Sequence, residues 1–167
     1  PHLPYTAAYL DDIVIFSSSW EEHLEHLAKV FQSITEAGLT INPEKCLVAA
    51  KSIQYLGYII KEGMIEPQMS KVEAILNIPT PSTKKEVRSF LGMVGYYRRF
   101  IPRFSELASP LTDLLKKGRT VDPTKWSEEE LKGFEVLRKA LCQKPVLLCP
   151  DFNKPFILQT DASGYGL

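Results

Sequence analysis

The spacing of apolar residues changes at about Pro67, and that change limits the chain to one class of fold. Before it, short runs rich in β-branched and aromatic residues (5–10, 13–16, 39–41, 46–48, 53–60 and 64–65) read as strands, the last two joined by a tight turn through Lys61, Glu62 and Gly63. Among them Ser19 and Glu22 stand at capping-box spacing, Leu24, Leu27, Phe31 and Ile34 recur at helical spacing, and Gly38 follows, so one core-packing helix is predicted here. After Pro67 the spacing is helical almost throughout. A short helix runs to about Asn77, Pro79-Thr80-Pro81 forms a linker, and Thr83 with Glu86 opens a longer helix whose apolar side carries Val87, Phe90, Leu91, Val94 and Ile101. Ser109-Pro110 is expected to cap the next, with Leu111, Leu114 and Leu115 buried. Ser127 and Glu130 cap the last, with Trp126 stapled to Leu131 and Phe134, Leu137 and Leu141 as its stripe. Two more strand-like runs, 146–149 and 156–160, follow. Strands first and helices after predict an α+β fold.

At 167 residues and 44% hydrophobic content the chain can bury a real core. Its longest apolar runs, 55–60 and 145–150, fall far short of the roughly 20 residues that span a bilayer, and no leader pattern opens it, so no membrane partner is expected. Three cysteines without a Cys-x-x-Cys pair predict reduced thiols in the cytoplasm or nucleus, not secretion, a disulfide framework or a zinc site. Pro1 and a strand-like run that stops in mid-pattern at Leu167 predict a piece of a longer polypeptide. The pattern leaves the oligomeric state open.

The net charge of zero hides an asymmetry: −5 through residue 69, +6 over 70–119 and −1 over the rest. A basic middle beside an acidic start fits a polyanion-facing element next to a metal-facing one; an ordinary solvated helical surface fits the charges too. On the long helix, Lys84, Lys85, Arg88, Gly92, Tyr96 and Arg99 fall opposite the apolar side. Glycine inside a helix costs roughly 1 kcal/mol against alanine, so Gly92 and Gly95 ask for a reason: close approach of a phosphate backbone, or close packing of another helix. The sharpest local feature is Tyr9-Leu10-Asp11-Asp12, two adjacent carboxylates at the bend of a hairpin. Two aspartates suit a solvated turn, and equally a site for Mg²⁺, which takes hard oxygen ligands and keeps positions open for phosphate oxygens.

Tyr9-Leu10-Asp11-Asp12 followed by "IVIFS" resembles the Tyr-x-Asp-Asp motif of reverse transcriptases. The blocks "EHLEHLAKVFQSITEAGLTINPEKC", "YLGYIIKEGMIEP", "VRSFLGMVGYYRRFIPRFSELASPLTDLL" and "PDFNKPFILQTDASGYGL" resemble, in order, consecutive parts of gypsy-like long-terminal-repeat retrotransposon polyproteins. The resemblance covers nearly the whole chain. It implies a partial polymerase palm with its primer-grip hairpin over 1–67, a helical thumb over 68–118, a connection over 119–150, and the start of an RNase H-like α/β domain over 151–167.

It further implies an RNA-directed DNA polymerase with adjoining ribonuclease H. Two Mg²⁺ ions serve each complete site, and RNA template, DNA primer, RNA/DNA hybrid and deoxynucleoside triphosphates are the partners. Asp11 and Asp12 match catalytic, metal-binding carboxylates of the palm, and Tyr9 matches a residue near the primer end. Leu56, Gly57 and Tyr58 match the primer grip, an alternative being a plain sheet hairpin. Lys84, Lys85, Arg88, Gly92 and Arg99 match the thumb face along the duplex, while Arg98 fits a surface or inter-helix place as well. Asp161 matches the first metal-binding, catalytic carboxylate of ribonuclease H; an Asx turn ahead of Gly164 is its other reading. The family needs a further palm aspartate, fingers and further ribonuclease H acids, so the isolated chain is expected to be catalytically incompetent. A non-catalytic nucleic-acid-binding module and a host-adopted remnant are the alternatives to a polymerase segment.

Overall fold

The computed structural model describes residues 3–143, 147–148 and 153–157, and it is α+β. Strands β1 (Thr6–Tyr9) and β2 (Asp12–Ile15) form an antiparallel hairpin, followed by helix α1 (Trp20–Glu36). A second, antiparallel sheet has the order β3 (Ser52–Tyr55), β4 (Tyr58–Lys61), β5 (Met64–Pro67) and β6 (Leu147–Leu148). Helices α2 (Met69–Leu76), α3 (Lys84–Tyr96), α4 (Phe104–Asp113) and α5 (Glu128–Ala140) make the rest.

The core lies in the helical part and runs without a break from Val72 on α2 to Leu141 just past α5. Val87, Phe90, Leu111, Leu137 and Leu141 are fully buried, each contributing about 1.5–3 kcal/mol of transfer free energy. Phe134 is its hub: Phe90 packs 4.7 Å from its centroid, Trp126 meets it edge-on at 5.9 Å, and the Arg138 guanidinium sits over its face at 5.4 Å. Ser127 and Glu130 form the expected capping box at the start of α5. At α1 and α3 the pattern shifts by one: Ser19 and Thr83 accept from Glu22 and Glu86, but those glutamates accept from the amides of Ser18 and Ser82.

Several sequence expectations are corrected. Runs 39–41 and 46–48 are not strands. Pro43 lacks a ladder donor and Asn42 caps a short 3₁₀ turn, Pro43–Lys45, so the segment follows its local turn chemistry. The run 53–60 is two strands, divided at Leu56-Gly57. Helix α3 ends at Tyr96, so Ile101 reaches the core from the following turn. Helix α4 begins at Phe104, five residues before Ser109, and holds Pro110 inside; burial of Ala108 and Leu111 together with an Arg103–Glu106 ion pair on the first turn outweighs the proline. Trp126 turns toward Phe134, leaving Leu131 41% exposed. Helix α1 buries His26 and Val30, whereas Leu24 and Phe31 of the expected stripe are exposed. Of the run 156–160, Phe156 and Ile157 are exposed and in no strand, and the remainder lies outside the described residues.

Candidate nucleic-acid interface

The β1–β2 register pairs Tyr9 with Asp12, so the bend consists of Leu10 and Asp11, and Asp12 is the first residue of β2 rather than part of the turn. Leu10 occupies the left-handed region at φ 54° and is 88% exposed. A leucine held there costs of order 1–3 kcal/mol, a strain found where geometry serves function. Asp11 and Asp12 are exposed, and among the described residues neither carboxylate has a hydrogen-bond or ion-pair partner. Their hard oxygen atoms suit a divalent cation. Among the described residues they belong to no cluster of three or more potential metal ligands, so the pair by itself is an incomplete ligand set. The base of the hairpin is anchored instead by residues the sequence reading passed over. Tyr5 stacks flat on His26 at 3.5 Å, and the Ser17 hydroxyl lies 3.1 Å from Nδ1 of His23 and 2.8 Å from Nδ1 of His26. One hydroxyl hydrogen serves one ring, so at least one histidine donates its own N–H to Ser17.

The Leu56-Gly57 turn has φ values of 47° and 76°, the doubly left-handed bend that two-residue hairpins favour. It is docked onto the end of α3. Tyr96 donates its hydroxyl to the Leu56 carbonyl at 2.5 Å, Tyr97 donates to the Gly57 carbonyl at 2.9 Å, and Tyr58 donates to the Tyr96 carbonyl at 3.2 Å. Tyr58 and Tyr96 stack at 5.3 Å, and Tyr97 meets Tyr58 edge-on at 5.6 Å. Burial, and secondarily the neighbouring Tyr96, push the Tyr58 phenol up to about 12, so it stays a donor beyond the pH at which a free phenol ionises. A Cβ at residue 57 would meet the Tyr97 hydroxyl at 3.1 Å, a second reason for glycine there.

On α3, Val87, Phe90 and Val94 face the core, and Lys85, Arg88, Gly92, Tyr96 and, just beyond, Arg99 form an exposed stripe on the other side. Among the described residues no carboxylate pairs with Lys85, Arg88, Arg98 or Arg99, nor with the scattered Lys71, Lys117 and Lys132, whereas Arg103, Lys116, Arg119, Lys125, Arg138 and Lys139 all have partners. Lys84 stands apart from the stripe: its ammonium donates to the carbonyls of Lys116 at 2.5 Å and Leu115 at 3.4 Å, closing the end of the α4 region. Gly92 has no atom within 4 Å of where a Cβ would lie, and Gly95 has only Phe104 at 3.9 Å. Intramolecular packing therefore supplies no reason for Gly92. Asp161 lies outside the described residues.

With this geometry in view, the relationships are informative. A family model described as reverse transcriptase (RNA-dependent DNA polymerase) matches residues 4–60, and one described as the RNase H-like domain found in reverse transcriptase matches 126–167. The chain is 43% identical to a retrovirus-related Pol polyprotein from transposon 297 of Drosophila melanogaster, over 95% of the chain and 15% of that polyprotein. It is 38% identical to the transposon Tf2-3 polyprotein of Schizosaccharomyces pombe, over 95% of the chain and 12% of the relative. It thus spans less than a sixth of these relatives. Among solved structures, the foamy viral protease–reverse transcriptase in complex with double-stranded DNA matches 91% of this chain and 32% of that one, at TM-score 0.76 and 31% identity. The same viral protein in complex with RNA/DNA hybrid matches 86% of this chain and 19% of that one, at TM-score 0.72. Both families generally depend on divalent metal ions. In sequence and in fold, the chain belongs to the reverse transcriptase and ribonuclease H family of retrotransposon Pol polyproteins.

Proposed function

We propose that this segment carries part of the palm, the primer grip and the thumb of an RNA-directed DNA polymerase, and that its thumb face binds the template-primer duplex. The observation that carries the reading is Gly92: a helix-interior glycine where an added β-carbon would meet nothing beyond its own helix backbone, set in a stripe of unpaired cations. A glycine is retained at that cost where something from outside needs the space. Lys85, Arg88 and Arg99 bind phosphates without regard to sequence, as copying any template requires. Lys84, already engaged with two carbonyls, is a weaker candidate for phosphate. The Leu56-Gly57-Tyr58 turn holds the primer end, and Tyr9, beside the two aspartates, is the residue of the first hairpin that meets it in the complete polymerase.

Asp11 and Asp12, whose carboxylates are free, would hold Mg²⁺ in the complete polymerase, and the chemistry it would supply there is acidification of the primer 3′-hydroxyl and stabilisation of the leaving pyrophosphate. The strained Leu10 bend presents the two carboxylates, and the anchored hairpin base keeps them in place. Asp161 serves the ribonuclease H site in the same capacity. Through its lack of a third carboxylate near Asp11 and Asp12 among the described residues, the chain alone extends no primer.

Gly92→Ala tests the reading, because its two expected effects have opposite signs. Free protein gains about 1 kcal/mol of stability, since alanine is the better helix former and meets no neighbour. Affinity for a DNA duplex falls at least severalfold. Unchanged affinity in a stabilised variant would remove the support for a duplex on this face.

A further inference from the structure

Three phenols and three carbonyls lock the Leu56-Gly57 turn to the C-terminal end of α3, and the arrangement is reciprocal. Tyr96 and Tyr97 donate to the two turn carbonyls, and Tyr58, the residue after the turn, donates back to the Tyr96 carbonyl. Carbonyls at a tight hairpin turn ordinarily face water; here both are taken. The Gly57 carbonyl also accepts from the Gln68 amide at 3.0 Å, so both its lone pairs are filled and the turn is tied to the start of α2 as well. Tyr97 is 4% exposed and belongs to the hydrophobic core, with Phe100 beside it. Tyr96, by contrast, is 51% exposed and lies on the cationic stripe.

We infer that Tyr97 is a positioning residue, which with Tyr96 makes the Leu56-Gly57 turn and helix α3 one rigid body, so that a duplex seated on the outer face of α3 sets the angle of the hairpin tip. The duplex half of this inference rests on the function proposed above; the rigid coupling does not. A rotation of α3 carries the tyrosine hydroxyls with it, and the two turn carbonyls that accept from them follow. Tyr96 then has two roles on one side chain, an outer face at the stripe and a hydroxyl on the turn.

Hydrogen exchange on the full chain, free and with a short DNA duplex, separates the two parts. Tyr97→Phe keeps the ring in the core and removes only the hydroxyl; Tyr96→Phe does the same at the exposed ring and serves as the second variant. In free protein, exchange of residues 56–58 and of the Gln68 amide accelerates about tenfold in Tyr97→Phe, the size of one net hydrogen bond, while α5 is unaffected. Equal exchange in wild type and both variants would overturn the coupling. On adding duplex, wild type gains protection at α3 and at 56–58 together, and Tyr97→Phe gains it at α3 alone. Equal protection of 56–58 in both proteins would overturn the transmission from duplex to tip. If duplex protects neither region of wild type, the proposed duplex face is wrong, and the comparison in free protein still decides the coupling.

Discussion

A methyl group at Gly133 would stand 2.6 Å from the carbonyl oxygen of Leu107, a backbone atom that cannot swing aside. Gly133→Ala therefore forces α4 and α5 apart at the centre of the core, and a loss of about 1–3 kcal/mol or more is expected in denaturant unfolding. Gly92→Ala, on a helix of equal length, should move stability the other way, and the contrast shows how little the residue type says without its surroundings. Tyr58 has its own signature. Its folded value of about 12 lies above the ordinary 10.0, so its contribution to stability is fully present below pH 10 and is lost as pH rises from 10 toward 12. Following phenolate absorbance, Tyr58 and Tyr97, both raised by burial and then by Tyr96, should titrate later than the other tyrosines in wild type, and Tyr96→Phe, which leaves burial but removes a neighbouring phenol, should move both part of the way back. The sequence marked Tyr58 as a primer-grip residue through resemblance, but nothing near it signalled Tyr96 and Tyr97, which lie about forty residues on. Lys84 shows the same limit: on the helix wheel it is one more cation, and the carbonyls its ammonium meets lie more than thirty residues away.

Elements were legible where local chemistry and burial agree. The start of α5 is an example: Ser127 and Glu130 close a capping box, Glu130 is buried, and Arg119 pairs with it. Ser127→Ala should cost about 1 kcal/mol, read as a lowered midpoint of thermal or denaturant unfolding. Where the two disagree, packing won. Pro110 sits inside α4 although proline reads as a helix start, because Ala108 and Leu111 need the turn before it to be helical. At the first hairpin the bend fell one residue earlier than the two aspartates suggest. Leucine carries no turn signal, so nothing in the sequence told that Leu10 takes the left-handed conformation. The second hairpin has glycine at its turn, but apolar residues flank it on both sides, so the pattern of 53–60 looks like one strand and only the resemblance to the primer grip marks a hairpin there. In both hairpins Tyr-Leu leads into the bend and the leucine is left-handed, joined in the second by Gly57.

On the scale of the molecule, burial is uneven. The core holds residues from Val72 to Leu141, while the described residues among the first 48 bury only His26 and Val30 and leave Phe16, Trp20, Leu24 and Phe31 exposed. The change in apolar spacing at about Pro67 foretold this division, and the α+β class followed from it. The boundary expected at residue 118 between a thumb and a connection has no such physical mark: α4 and α5 stand on either side of it and share one core. Charge divides the molecule at the same place as burial, and the excess of cations on the outer face of α3 is the part of that division to which the proposed duplex binding is assigned. Its direct test is the salt dependence of duplex binding by the full chain, wild type against the double variant Lys85→Ala, Arg88→Ala. Each phosphate neutralised adds about −0.9 to the slope of log affinity against log salt, so the double variant should bind with a slope shallower by roughly two at any duplex sequence. A slope equal to that of wild type, or no salt-dependent binding by either protein, would contradict the account.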